Sequence, residues 1–106
     1  MKSVTVAGIL HALSDPVRLA IIRELQREKK DMNCSATIAR VDPRLAKSTC
    51  SQHFRILRES GLIFSKRNGA ELVNRLRAVE LEKRFPGLLL SILKSFHKEM
   101  ASTPAP

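Results

Sequence analysis

Tryptophan and tyrosine are absent from this chain, phenylalanine occurs four times in 106 residues, and cysteine only twice. No apolar run approaches the ~18 to 20 consecutive residues that span a bilayer, so no membrane partner is expected. Two thiols sixteen positions apart, Cys34 and Cys50, do not make the disulfide framework of a small secreted domain. The opening MKSVTVAGILHALSD lacks a small-residue cleavage site, which points to a cytoplasmic protein. There is no Gly-rich phosphate loop, no paired-carboxylate cluster and no nucleophile with an assignable base. Enzyme chemistry has no foothold, and no cofactor is expected. No internal repeat is present. Acid is scarce beside base: 19 Lys and Arg face 10 Asp and Glu, a net charge of +9, which argues for a polyanionic partner.

What is there is mostly helical. The length predicts one domain over residues 1–100 that buries about two-thirds of its unfolded surface, with 101–106 (ASTPAP) as a disordered tail. A first helix is expected over residues 4–13, with Val6, Ile9, Leu10 and Leu13 as its apolar stripe. Asp15 caps a second helix, Pro16 sits where a missing N–H costs nothing, and Val17, Ala20, Ile21 and Leu25 bury its inner face through about Arg27. The segment EKKD, residues 28–31, reads as a solvated loop. A short helix over 34–40 turns Ile38 and Cys34 inward, and Asp42-Pro43 then turns the chain.

Residues 46–60 carry the most chemistry. Cys50, Phe54 and Leu57, spaced four and three apart, form an apolar seam on one helical face. Ser48, Thr49, Ser51, Gln52, His53, Arg55 and Arg58 fall elsewhere around the helix. Hydroxyls and cations of this kind bind phosphate oxygens, Gln pairs bidentately with adenine, and Ser, Thr, His or Arg reach other base edges. Gly61 terminates the helix, and residues 62–77 then read as a two-stranded hairpin closed at Asn68-Gly69 by a type I′ turn. Lys66 and Arg67 lie beside its tip, placed to touch the DNA backbone.

The segments LSDPVRLAIIREL and LAKSTCSQHFRILRESGLI and the RNG hairpin, in that order over residues 9–78, resemble the ArsR-type family of winged helix-turn-helix repressors. The resemblance implies a mainly α fold of about five helices with a two-stranded β wing, a homodimer, and a double-stranded operator, pseudo-palindromic to match the two-fold. It also places Lys47, Ser48, Thr49, Ser51, Gln52, His53 and Arg55 around the DNA groove, with Cys50 at an apolar core position. Residues 41–45 depart from the family, whose turn is shorter and often carries Gly. The resemblance implies two metal patterns, a Cys pair separated by one residue in the first helix of the DNA-binding pair, or an acid and His followed by a His and acid in the last helix, across the dimer. Here MNCSATIA offers Cys34 alone and FHKEM only His97 and Glu99, so no metal site is expected.

After the hairpin, residues 78–84 form a short helical segment, and Pro86 opens a last helix running to about Met100. Its stripe of Leu88, Leu89, Ile92, Leu93, Phe96 and Met100, with Val6, Ile9 and Leu10 of the first helix, exceeds what a small filled core absorbs. It is therefore expected to be the dimer interface, whose edge would bring His11 near His97. Cys50 is expected to be shielded packing behind the recognition helix. Two alternatives stay open. One is a winged interaction module that does not read operator DNA. The other is a redox-sensing repressor in which Cys34 and Cys50 form the thiol pair.

Overall fold

Asp15 starts the helix around which the others pack. Its Oδ1 accepts the backbone N–H groups of Val17 (2.8 Å) and Arg18 (3.2 Å), and Pro16 follows at the first helical position. A cap of this kind stabilises by about 1 kcal/mol. The computed structural model describes residues 4–28 and 31–102. Helix α1 (Val6–Ala12) leads into α2 (Pro16–Arg27), then β1 (Met32–Asn33), α3 (Cys34–Val41), α4 (Lys47–Glu59), β2 (Ile63–Asn68), β3 (Glu71–Leu76), α5 (Ala78–Arg84) and α6 (Leu88–Ser102). Lys29 and Lys30 of the expected loop lie outside the described residues. So do residues 103–106 of the expected tail, whereas residues 101 and 102 are the last of α6.

The core is one cluster. Ile21, Ile22 and Leu25 of α2 meet Ile38 of α3, Phe54 and Leu57 of α4, and Leu62, Ile63 and Leu76 of the hairpin. Ile9 of α1, Leu81 of α5 and Leu89 and Leu93 of α6 belong to the same cluster. Phe96 is also buried, beneath the Arg23 guanidinium of α2 at 5.0 Å from its ring centroid. The expectation that the whole α1/α6 stripe is a dimer interface is therefore corrected. Ile9, Leu89, Leu93 and Phe96 are spent on the chain's own core, and Leu88 and Ile92 are half-buried against it. What remains outside is Val6 (43% exposed) and Leu10 (51%) on α1, with Leu90 (47%) and Met100 (48%) on α6.

Three strands form the sheet, in the order β1-β3-β2, all antiparallel. The two-residue β1 escaped the sequence because a strand that short has no periodicity; its Met32 pairs with Asn74 and its Asn33 with Val73. Asn33 also caps α3, accepting the Ala36 N–H at 2.7 Å. The wing turn differs from expectation. Asn68 pairs with Glu71, so the central residues are Gly69 and Ala70, and only Gly69 has a positive φ (65°). A type I′ turn requires positive φ at both central residues; a positive φ at the first alone is the demand of type II′. Pro86 lies in the turn before α6 rather than within its first turn. Among the described residues no helix is long and apolar enough to cross a membrane.

Candidate nucleic-acid interface

The helix-turn-helix is formed by α3, a turn over residues 42–46, and α4. Asp42 holds the turn: its Oδ1 accepts the Arg44 N–H at 3.1 Å and its carbonyl the Leu45 N–H at 3.2 Å. Arg40 of α3 pairs with Glu28 and Glu24 at the end of α2, tying the first DNA-binding helix to the core. Those bonds, chiefly the one to Glu28, hold the Arg40 guanidinium still more firmly in its charged form.

Helix α4 turns Phe54 and Leu57 inward and Lys47, Ser48, Thr49, Ser51, Gln52, Arg55 and Arg58 outward. From Lys47 to Arg58 this surface carries no carboxylate. Ala46 stands at the N-cap and makes no side-chain cap bond, so the first-turn N–H groups have no side-chain acceptor. An uncapped, positive helix end suits a phosphate oxygen. Lys66 and Arg67 are exposed on β2 at the wing, where Arg75 of β3 covers the Phe64 ring at 5.6 Å.

His53 is not on that surface. It is buried, and its Nδ1 lies 3.2 Å from an Arg18 terminal nitrogen. Since guanidinium can only donate, the ring nitrogen accepts. Arg18, itself buried, spends its Nε on the Ala12 carbonyl at 2.7 Å. The pair therefore joins the end of α1, the start of α2 and the middle of α4, and the expected DNA-facing role of His53 is replaced by a packing one. The spacing holds the reason: Cys50, His53, Phe54 and Leu57 stand at i, i+3, i+4 and i+7, so His53 belongs to the inner stripe.

The helix ends in a Schellman motif. The Gly61 N–H donates to the Arg58 carbonyl (3.1 Å) and the Leu62 N–H to that of Leu57 (3.2 Å). Gly61 has φ 86°, and a Cβ there would come within 2.5 Å of Val4 Cγ2. The wing is set against α4 by a polar chain that the sequence reading missed. Arg58 Nε donates to Ser65 Oγ at 3.0 Å, Ser65 Oγ donates to Asn74 Oδ1 at 2.7 Å, and Asn74 Nδ2 reaches Met32 O and Cys34 Sγ, each at 3.3 Å. Asn74 is fully buried. Its signal was a polar residue between Leu72 and Leu76 in the inward register of β3. Arg58 is thus placed by the wing through its Nε.

Both cysteines are free and half-buried against the edge of the core, so Cys50 packs inward as expected but is not fully shielded. Among the described residues no group of three or more His, Cys, Asp or Glu stands close enough to hold a metal ion.

The helix-turn-helix domain family matches residues 13–63. Over 83 residues, 78% of this chain and 81% of the relative, the sequence is 36% identical to YceK, an uncharacterized HTH-type transcriptional regulator of Bacillus subtilis (strain 168). The fold is similar to that of an ArsR-like transcriptional regulator from Rhodococcus sp. RHA1, with TM-score 0.61 and 27% identity over 91% of this chain and 86% of that one. It is also similar to the homodimeric winged helix-turn-helix DNA-binding domain of Mb0332 from Mycobacterium bovis, a possible ArsR-family transcriptional regulator. That likeness has TM-score 0.67 at 21% identity and covers 94% of this chain and 87% of the other. With its recognition helix, wing and sequence in agreement, this chain belongs to the ArsR-type family of winged helix-turn-helix DNA-binding transcriptional regulators.

Proposed function

We propose that the protein is a homodimeric repressor that binds a pseudo-palindromic operator in the cytoplasm and acts by occluding a promoter. The observation that carries this reading is the outer face of α4, where hydroxyls, one amide and three cations are exposed with no carboxylate between Lys47 and Arg58. In the major groove, Gln52 and Ser48 read base edges, while Lys47, Thr49, Ser51, Arg55 and Arg58 hold phosphates. Lys66 and Arg67 of the wing add backbone contacts. The dimer is supported by the apolar residues that α1 and α6 leave exposed, Val6, Leu10, Leu90 and Met100, with the edges of Leu88 and Ile92. The Mycobacterium bovis neighbour is itself described as homodimeric. Two-fold symmetry presents the two copies of α4 to half-sites about one DNA turn apart.

Titrations on operator and random duplexes at two salt concentrations test the assignment. Gln52→Ala should lower the preference for operator by roughly 1–3 kcal/mol. Arg55→Ala should weaken both duplexes alike and flatten the salt dependence. An unchanged operator preference in Gln52→Ala would remove that residue from base reading.

A further inference from the structure

Between α3 and the start of α4 lies a cleft of about 450 Å³, within the range of small-molecule sites. Ile38, Pro43 and Leu45 give it apolar walls, and both cysteines of the chain, Cys34 and Cys50, line it together with Lys47 and Ser51. The Cys34 sulfur is also the end of the polar chain through Asn74 and Ser65 to Arg58. One cleft thus touches the recognition helix twice, directly at Lys47 and Ser51 and indirectly through the wing.

We propose that this cleft is an effector site for a small apolar electrophile, an α,β-unsaturated carbonyl compound, which adds to Cys34. Sulfur is the soft nucleophile that such a carbon prefers, and the apolar walls select an uncharged carrier. The Lys47 ammonium supplies a donor for the carbonyl oxygen, drawing electrons from the β-carbon. In the addition the Cys34 sulfur bonds to the β-carbon, the carbon–carbon π bond opens, and the thiol proton ends on the α-carbon; no oxidant is consumed. The Asn74 amide, donating to that sulfur, fixes Cys34 as the reacting thiol rather than Cys50, whose Sγ has only the Leu45 carbonyl at 4.0 Å. An adduct displaces Asn74 and stands against Lys47 and Ser51, so DNA is released. Release rests on the DNA-binding function proposed above; adduct formation does not.

The test compares N-phenylmaleimide with a trimethylammonium-bearing maleimide, each rate divided by its rate with glutathione, and maps the adduct by peptide mass spectrometry. Cys34 should react first and prefer the phenyl probe by about tenfold, the equivalent of about 1.4 kcal/mol of apolar burial. Ala39→Glu, which puts a carboxylate on the cleft wall and leaves both cysteines in the chain, should abolish the preference. The wild-type adduct should lose DNA, and Cys34→Ser should bind DNA and still bind it after the same exposure to the probe. Equal corrected rates, a preference that survives Ala39→Glu, or first reaction at Cys50 would overturn the site. A Cys34 adduct that binds DNA unchanged would overturn the coupling. If the unmodified protein bound no DNA, the proposed function would fail while the adduct rates still judged the cleft.

Discussion

Replacing His53 by Ala separates the two roles this residue was open to. In the structure the ring accepts from Arg18, and both residues are buried. Removing it leaves a buried guanidinium with the Ala12 carbonyl as its remaining acceptor. Hydrogen bonds to charged groups contribute about 1.5–3 kcal/mol, and the lost ring adds a cavity, so His53→Ala should cost about 2–4 kcal/mol. For a domain of this size that lowers the melting midpoint by on the order of 10 °C. His53→Gln, whose amide oxygen can accept from Arg18, should recover part of the loss. Urea and thermal unfolding measure the stability, and titrations below the midpoint measure the ratio of operator to random-duplex affinity. That ratio should be unchanged in both variants. Wild-type stability combined with altered operator preference would refute the inward placement and return His53 to the DNA surface.

Further predictions address the elements that place α4. Gly61→Ala combines a positive φ with contact on Val4, and should lose about 2–4 kcal/mol, relieved in part by Val4→Ala, as read from urea unfolding. Asn74→Ala strips a partner from the Met32 carbonyl and frees Ser65 and Arg58. It should cost about 2–3 kcal/mol and weaken operator and random DNA alike in the same titrations. Leu89→Glu should unfold the chain because Leu89 lies in its core, whereas Leu90→Glu, on the exposed side, should stay folded and sediment as a monomer near 11.9 kDa. A folded, dimeric Leu90→Glu would exclude that edge of α6 from the interface.

Much of the fold was legible because its signals are local. Asp15-Pro16 marked the start of α2, Gly61 the end of α4, and residues 78–84 coincide with α5. The outer face of α4 could be read from hydroxyls and cations at helical spacing. What escaped depends on contacts distant in sequence. Whether Leu89, Leu93 and Phe96 cover a partner or α2 is a matter of packing that periodicity does not encode. Asn74 and Ser65 gain meaning only from strand register. His53 is a different case: its i+3 spacing from Cys50 places it inside, while its side-chain chemistry suits a DNA surface equally well, and only the Arg18 contact separates the two. The cleft required α3 and α4 to bring both cysteines into its lining, and a separation of sixteen residues gave no sign of that.

The most direct measurement is selection from a pool of randomised duplexes with the wild-type protein, followed by sequencing of the bound fraction. The account predicts one enriched motif of two inverted half-sites whose centres lie about 10–10.5 base pairs apart, lost in Gln52→Ala. Recovery of DNA without any enriched sequence, or a single unrepeated half-site bound by a monomer, would contradict it.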